Sequence, residues 1–335
     1  MNQQRFDVLL DSVGRLARRG AHAHALNILE KLRPVDVANV LRSLAHRDRE
    51  ELFGALAERD GAKAAESLTE LGEEYVGELL TPLEPDRILE LMHALPGDDA
   101  ALVMAELPTE LRESLLERMH ATESTGVHEL LTFDTETAGR IMTPDFFALH
   151  EDITVSQAVA ALQRRSEELE MSFYVYVVDE RNHLVGVVSL RQLLLNSPST
   201  PLKKIMSSDV IKVTTSTDQE EVARLVANYN LIALPVVDDE NKLAGIVTVD
   251  DVIDVIREEA TEDIYALAGV DADDRAGGSS ANSVRRRLPW LMISLGTALL
   301  LAAVISFFRN SVQSAVGLAV LIPVVIVMGG NAATQ

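Results

Sequence analysis

Carboxylates are concentrated in one short stretch of the chain, VDDVIDVIREEATED, in which only Arg257 opposes them. Its seven acids are Asp250, Asp251, Asp254, Glu258, Glu259, Glu262 and Asp263. On a helix, spacings of three and four residues align four of them in one stripe, from Asp251 to Glu262, where like charges repel. A hard divalent cation such as Mg²⁺, which takes oxygen ligands and keeps several waters, would offset that repulsion. The alternative is a solvated helix face without a ligand.

Two smaller groups of acids stand at the starts of other predicted helices. Asp98 and Asp99 begin the helix in LPGDDAALVMAEL, and Asp218 and Glu220 begin the helix in TSTDQEEVARLV. Acids in a first turn satisfy free backbone N–H groups and complement the helix dipole. They could instead face the acidic stretch and share its cations. Both interpretations stay open.

The acids belong to one part of the chain only. Aspartate and glutamate number 52 against 30 lysines and arginines, which gives a formal charge of −22 over 335 residues. The last acid is Asp274, and beyond Leu288 the only charged residue is Arg309. Such a charge favours cations over nucleic acid, whose binding depends on neutralising phosphates. The absence of cysteine excludes disulfides, thiolate-bound zinc and thiol catalysis.

The charge-free end of the chain is predicted to enter the cytoplasmic membrane. Residues 288–308 are uncharged over about the length that a helix needs to cross a bilayer, and a second apolar run covers 314–330. Arg285, Arg286 and Arg287 precede the first run, which by the positive-inside rule places the preceding domains in the cytoplasm. Because the chain stops beside an apolar run, we expect a fragment of a longer multi-pass protein. Two helices that merely anchor the preceding part are the alternative.

The first part of the chain is predicted to be all helical. Apolar residues recur every three and four positions, and Pro34 and Pro85, each with an acid in the following turn, mark helix starts. The segments LRPVDVANVLRSL and LEPDRILELMHAL resemble diverged copies of one helical unit. Stacked helical units form a superhelix, and scaffolding is the simplest role for most of these residues.

A clearer duplication follows and predicts a pair of α/β units. IMTPDFFALHEDITVSQAVAAL leads to YVYVVDERNHLVGVVSLRQLL, and IMSSDVIKVTTSTDQEEVARLV leads to LPVVDDENKLAGIVTVDDVI. Gly186 and Gly245 are 59 residues apart, whereas Met142 and Met206 are 64 apart, so the first copy is longer near SEELEM. Each copy predicts a helix, a strand, a turn, a second strand and a helix.

These motifs carry a resemblance that extends over essentially the whole chain. The duplicated pattern resembles a tandem pair of cystathionine-β-synthase (CBS) domains, and its combination with PVVIVMGGNAATQ resembles the MgtE family of magnesium transporters and channels. The resemblance implies a multidomain fold, with an all-α superhelical N-domain, an α/β CBS pair and α-helical transmembrane segments. The boundaries it implies are 1–132 for the N-domain, 133–200 and 201–258 for the CBS domains, 259–284 for an acidic connecting helix and linker, and 285–335 for two transmembrane helices.

The resemblance also implies a function and a set of metal ligands. Proteins of this kind are dimeric through their CBS and transmembrane domains and carry magnesium across the membrane under the control of cytosolic magnesium. The acids that match the family's regulatory ligands best are Asp98, Asp218, Glu220, Asp251, Asp254, Glu259, Glu262 and Asp263. Leu102 and Asn230 stand where relatives commonly carry Asp, so we expect a weaker contribution from the N-domain.

A pore site follows from the same resemblance. Asn331 and Thr334 come after Pro323 and the Gly329-Gly330 pair, and their oxygen groups could hold a hydrated cation. Packing between helices through small residues is the alternative.

Adenine nucleotide, such as ATP, is the second ligand that CBS pairs imply. In the first copy Gln192 occupies the place where relatives commonly carry the Asp that grips the ribose. Either a nucleotide binds, or the pair is empty and serves only for dimerisation. The matching residues are Tyr174 to stack on adenine, Arg191 to meet phosphate, and Ser189, Thr248 and Asp251 from the two signatures.

Two other functions compete with transport. One is a membrane-anchored nucleotide sensor that regulates a separate partner protein. The other is an enzyme under CBS control, but no Ser/His/Asp set, cysteine nucleophile or HExxH motif occurs, and the eight histidines are scattered. We therefore expect a protein that is not an enzyme.

Overall fold

The computed structural model describes residues 3–119, 121–165, 173–267 and 280–307, together with 325, 328 and 329. Two compact units make up the chain, Met1–Val255 and Ile256–Gln335. The first unit contains a helical domain and two α/β repeats. The second contains the end of one helix and one further long helix.

The helical domain consists of short helices joined by tight turns. Its helices are α1 Gln3–Arg18, α2 His22–Leu29, α3 Pro34–Arg42, α4 His46–Arg59, α5 Gly61–Thr69, α6 Glu73–Leu80, α7 Pro85–His93, α8 Gly97–Ala105, α9 Thr109–Arg118 and α10 Ala121–Thr132. Their apolar faces form a core in which Leu41, Phe53 and Leu91 have no exposed surface. The prediction of an all-helical first domain is confirmed.

Two units of this domain are copies related by an offset of 51 residues. The helices α2 and α6 have eight residues each and start 51 positions apart, and α3 and α7 both begin with proline, at Pro34 and Pro85. The starts of α4 and α8, His46 and Gly97, have the same offset. The buried positions of α3 also correspond one for one to those of α7: Val37, Ala38, Val40 and Leu41 to Ile88, Leu89, Leu91 and Met92.

The remainder of the first unit is a pair of α/β repeats. The first repeat contains α11 Ala138–Ile141, β1 Ala148–His150, α12 Val155–Arg165, β2 Tyr174–Val178, β3 Leu184–Ser189 and α13 Leu190–Leu195. The second contains β4 Val213–Thr214, α14 Gln219–Tyr229, β5 Ala233–Val237, β6 Leu243–Thr248 and α15 Val249–Leu267. Each repeat forms a three-stranded sheet, in order β1-β2-β3 or β4-β5-β6, whose first strand is parallel and whose last is antiparallel to the middle one. The predicted α/β pair is confirmed.

The two repeats interlock through the methionines near their starts. A Cβ atom on Gly186 would lie 2.5 Å from Sδ of Met206, and a Cβ atom on Gly245 would lie 2.7 Å from Sδ of Met142. Each methionine therefore packs on the glycine of the other repeat, where any larger residue would collide. The glycine is therefore required at the equivalent position of each repeat.

The second unit begins within α15 and continues to α16, Ser280–Phe307. Leu291, Leu300 and Phe307 are among the exposed apolar side chains of α16. Over the residues that the structure describes, no helix combines the length and the apolar character needed to cross a membrane. The side chains of several α16 residues, and most of the second apolar run, lie outside the described residues.

Candidate cation site

Asp98 lies in the first turn of α8, where the helical domain contacts the α/β repeats. A Cβ atom on Gly97 would lie 3.8 Å from Cγ of Pro144, which precedes β1. The residue before the helix, Pro96, makes no side-chain cap, so the acids of the first turn adjoin backbone N–H groups that the helix leaves unpaired. Asp98 is only 8% exposed, and its Oδ1 has no hydrogen-bond partner.

Asp251 lies in the first turn of α15, directly after β6. Thr248, the last residue of β6, donates its hydroxyl to Oδ2 of Asp251, and the Thr248 amide approaches the same oxygen at 3.4 Å. Val252 and Val255 are buried, so this end of α15 is held against the first unit by its apolar face. The carboxylate of Asp251 is therefore partly buried and fixed at one oxygen.

Burial opposes ionisation of both carboxylates, and the charge of Asp251 also acts on Asp98. Burial, then the charge of Asp251 and the charge of Asp99, raise the pKa of Asp98 to about 7. Burial likewise raises the pKa of Asp251 to about 6, against the opposing effect of the hydrogen bond from Thr248. In the described part of the chain, no lysine, arginine or histidine forms an ion pair with either of them. We call Asp98 and Asp251 the acidic pair.

The acidic pair has the chemistry of a site for a hydrated cation. Desolvated like charges are costly unless a positive charge compensates them. Magnesium is bound by proteins through one or two carboxylates and keeps waters for its other positions, so two carboxylates are enough. Within the described ranges, no group of three or more Asp, Glu or His side chains converges to form a complete metal cage. The pair therefore suits a cation that retains much of its water.

Other predicted ligands lie near the acidic pair or further along α15. The charge of Asp99 acts on Asp98, and the charges of Asp250 and Asp254 act on Asp251. The helix α15 covers the whole acidic stretch. Its later acids, which belong to the second unit, are Glu258, Glu259, Glu262 and Asp263.

Asp218 and Glu220 lie at the exposed start of α14. Oδ1 of Asp218 accepts the amide of Glu220 at 2.8 Å, which is the geometry of an N-cap. Capping therefore accounts for the aspartate at this position. A metal-binding role for these two acids stays a prediction.

The two positions at which this sequence departs from the family pattern have distinct surroundings. Asn230 ends α14 in the left-handed conformation, with φ 51° and ψ 48°, and its amide donates to the carbonyl of Val226. Asn adopts this conformation at lower cost than most residues. Leu102 is partly buried one turn beyond Asp98 on α8, so it places an apolar side chain beside the acid.

In the first repeat the position equivalent to Asp251 is occupied by an uncharged residue, Gln192. Gln192 forms a capping box with Ser189, in which Oε1 of Gln192 accepts the Ser189 amide at 2.7 Å and Oγ of Ser189 accepts the Gln192 amide. Nε2 of Gln192 donates to the carbonyl of Ile205 at 3.1 Å. Both ends of this amide are thus bonded within the repeat.

The nucleotide candidates divide between the two repeats. Tyr174 lies opposite Ser189 in the first sheet, whereas Ala233 lies opposite Thr248 in the second. An aromatic ring therefore adjoins the start of α13 only in the first repeat, where Arg191 is exposed. In the second repeat the hydroxyl of Thr248 is bonded to Asp251. Nucleotide binding stays a prediction.

The proposed pore lies outside the part of the chain that the structure describes. Asn331 and Thr334 fall there, as do the side chains of Arg285, Arg286 and Arg287. The predictions for these residues therefore depend on the sequence alone.

A cavity of about 320 Å³ in the first repeat was not anticipated from the sequence. Acids and histidines line it, but Asp152 pairs with Lys203 at 2.6 Å and Asp179 pairs with Nδ1 of His183 at 2.9 Å. The hydrogen bond from His183 lowers the pKa of Asp179 to about 2. Because the protein's own bases pair with these two acids, the cavity differs from the acidic pair.

One signal in the sequence could have separated Asp98 from the other first-turn acids. The position 51 residues earlier is Arg47, which is exposed and pairs with Glu51 at 2.9 Å. Asp98 therefore stands where the equivalent helix start in the first unit has a base. The 59-residue offset relates Asp251 to Gln192 in the same way.

Comparisons with known proteins agree with this architecture. Residues 32–136 match the model of the MgtE intracellular N domain, and residues 138–198 and 202–258 match the CBS domain. The chain is 42% identical over 212 residues to the magnesium transporter MgtE of Thermus thermophilus, a match that covers 62% of this chain and 47% of the relative. It is 42% identical over 213 residues to the magnesium transporter MgtE of Enterococcus faecalis, with 64% and 47% covered. The chain thus spans about half the length of the curated relatives it matches.

A solved structure shares the fold of the first unit. The cytosolic domain of the Mg²⁺ channel MgtE, crystallised in complex with ATP, matches with a TM-score of 0.67 and 36% identity, covering 73% of this chain and 99% of that one. Fold and site define a class of tandem CBS proteins in which a helical domain adds its own acid to the CBS pair. Within that class, the chain belongs to the MgtE family.

Proposed function

We propose that this chain is part of a protein that transports magnesium across a membrane and that the acidic pair senses cytosolic magnesium. The acidic pair carries the proposal, because two desolvated like charges leave a place for one divalent cation. Both named relatives are magnesium transporters at 42% identity, which supports transport rather than catalysis.

Burial and like charge in the acidic pair supply the energy of the proposed sensor, and burial is the larger cause. For scale, any two unit charges at about 4 Å repel by about 4 kcal/mol at an effective dielectric constant near 20. Without a cation this repulsion favours separation of the helical domain from the CBS pair, and a bound cation removes it. Moving a gate from mostly open to mostly closed requires about 5.5 kcal/mol of differential binding. The further acids of α15 and the start of α14 are the proposed sites for the additional cations.

The membrane path is proposed to begin in α16. Residues 288–308 carry no charge, three arginines precede them, and the described apolar side chains of this helix are exposed. Exposed apolar surface of this kind suits contact with lipid. Asn331 and Thr334 are the proposed pore residues.

A homodimer is the proposed assembly. Leu194 of α13 and Ile253 of α15 occupy equivalent positions in the two repeats and are 81% and 52% exposed. Equivalent apolar side chains on equivalent helices form a surface that a second copy can cover in a two-fold arrangement.

Magnesium uptake by cells that lack their own transporters tests this function, using the complete gene. We expect the wild type to restore uptake and to slow as internal magnesium rises. The double variant Asp98→Asn and Asp251→Asn should keep transporting at high internal magnesium, because its sensor no longer carries the two charges. Asp48→Asn, at the position equivalent to Asp99 in the first helical unit, is the matched control. A wild type that transports no magnesium would contradict the transport proposal, and a double variant that slows normally would contradict the sensor.

Adenine nucleotide binding is a second candidate function of the first repeat. Its support is the pairing of Tyr174 with Ser189, the exposed Arg191, and the ATP complex of the solved relative. The same site could serve a sensor that regulates a separate partner. Calorimetric titration with ATP should show saturable binding that Arg191→Ala weakens and that Arg181→Ala, in the β2–β3 turn, leaves unchanged. Equal weakening by both variants would indicate only general charge attraction.

A further inference from the structure

Thr248 is hydrogen-bonded to one member of the acidic pair, although it is not itself one of the proposed metal ligands. Its hydroxyl and its amide both donate toward Oδ2 of Asp251, and Thr248 itself is only 7% exposed. Among the described residues no donor reaches Oδ1 of Asp251. One carboxylate oxygen is therefore held by the protein, and the other is available to a ligand.

The equivalent cap in the first repeat has the same hydroxyl and amide donors but an uncharged acceptor, Oε1 of Gln192. There Ser189 and Gln192 satisfy one another, and the second group of Gln192 is bonded to Ile205. The residue of that repeat equivalent to Asp251 therefore carries no charge. In the second repeat the same backbone geometry orients a carboxylate beside Asp98 instead.

We infer that Thr248 is a positioning residue, whose hydroxyl holds the Asp251 carboxylate so that its free oxygen can ligate the cation of the acidic pair. This inference rests on the proposed function. Groups that orient a ligand through a hydrogen bond commonly change metal affinity when they are removed, by about 10- to 100-fold. The hydroxyl contributes through orientation, since a carboxylate that rotates freely must be ordered again on binding.

Magnesium titration of the purified chain tests the inference, with Thr248→Val as the main variant. We expect it to weaken magnesium binding by roughly tenfold or more, whereas Thr248→Ser, which keeps the hydroxyl, stays within about threefold of the wild type. Thr154→Val is the matched control, because Thr154 bonds Gln157 by its hydroxyl at the start of α12, away from the acidic pair. That control should bind as the wild type does.

A pH series adds a measurement that a purely structural role would not change. With the hydroxyl gone, Asp251 holds its proton more tightly, so the pH at which magnesium binding is half-maximal should rise in Thr248→Val and not in Thr154→Val. If Thr248→Val does not fold, Thr248→Ala compared with Thr248→Ser gives the same information.

The outcomes separate this inference from the proposed function. Wild-type binding that Asp251→Asn abolishes, together with unchanged affinity and pH midpoint in Thr248→Val, would overturn the inference alone. Failure of Thr248→Ser to preserve binding would also overturn it. A wild type without saturable magnesium binding would overturn both the sensor and the role of Thr248.

Discussion

In each of the two duplications of this chain, one position of the second copy holds an acid, whereas the equivalent position of the first copy does not. The second helical unit has Asp98 where the first has Arg47, and the second CBS repeat has Asp251 where the first has Gln192. Arg47 and Gln192 find partners within their own copies, Glu51 for one and Ser189 with Ile205 for the other. Burial opposes ionisation of Asp98 and Asp251, the charge of Asp251 adds to this at Asp98, and neither has a compensating base in the described part of the chain.

The core explains why the two second copies meet. Val222, Leu234 and Val247 of the second CBS repeat belong to one apolar cluster with the helical domain. The first repeat forms a cluster of its own, which includes Val175 and Leu193. Duplication therefore supplied each scaffold twice, but the copies are not used alike. Among the described residues, the apolar cluster of the helical domain includes the sheet of the second repeat, whereas the first repeat contributes its short helix α11 to that cluster. Burial of two acids at the contact between the helical domain and the second repeat lowers the stability of the folded chain, as is common at functional sites.

Removing the charge of Asp98 should have the largest effect on the difference between the first and second copies. Its pKa in the folded chain, about 7, lies above the ordinary value of 3.8. Between about pH 4 and 7 the unfolded chain loses this proton first, so rising pH lowers the free energy of unfolding by on the order of 4 kcal/mol. Below about pH 4 both states hold the proton and the contribution disappears. Without divalent cations, Asp98→Asn should therefore exceed the wild type in stability at pH 8 and equal it at pH 4.

Urea unfolding at the two pH values, in the presence of a chelator, measures this effect. Arg47→Gln is the control from the first copy, and we expect it to leave stability almost unchanged at both pH values because its ion pair is exposed. A gap between Asp98→Asn and wild type that does not vary with pH would show that Asp98 is ionised normally.

Magnesium bound at the acidic pair should turn the destabilising effect of these two acids into a stabilising one. At about 100 times its dissociation constant, a ligand specific for the folded state adds about 2.7 kcal/mol to the free energy of unfolding. We expect magnesium to raise the unfolding midpoint of the wild type beyond the effect of sodium chloride at equal ionic strength. Asp251→Asn should lose that increment, whereas Asp48→Asn should keep it. Equal effects of the two salts would argue against a specific site.

Placing an acid at position 192 of the first CBS repeat should have the smallest effect of these changes on stability and magnesium binding. Gln192→Asp loses the hydrogen bond to the carbonyl of Ile205, which costs about 1 kcal/mol. It should create no cation site, because Gln192 lies in α13, whose buried Leu193 belongs to a separate cluster from that of Asp98's helix. Calorimetry should give the same number of bound magnesium ions as in the wild type. An additional saturable step would mean that the two repeats are interchangeable.

The sequence predicted the elements well because their signals are local. Pro34 and Pro85 occupy the first positions of α3 and α7, as their preference for the first turn indicates. The strand-rich runs on either side of the turns near Arg181 and Glu240 form the predicted hairpins. The resemblance to the MgtE family was likewise readable from the order of these segments and is confirmed by the family matches.

The site was predictable only as part of a larger set. Asp98 and Asp251 stood among ten candidate acids, and nothing local distinguished Asp98 from Asp218, since both begin helices. In the structure Asp218 is an exposed cap, whereas Asp98 is buried against the CBS pair. Burial depends on which surfaces pack together, and no short pattern in the chain specifies that.

Hydrophobic periodicity, proline positions and the two duplications are properties of neighbouring residues, so the sequence by itself determined the helical units, the paired α/β repeats and the concentration of acid before Asp274. Only the tertiary structure decided which acids share a site. It packed α8 and the start of α15 around one apolar core, withdrew Asp98 and Asp251 from solvent, and directed Thr248 onto one oxygen of the pair. The physical reason is that desolvation and charge repulsion act through space, between residues that are 153 positions apart in the chain.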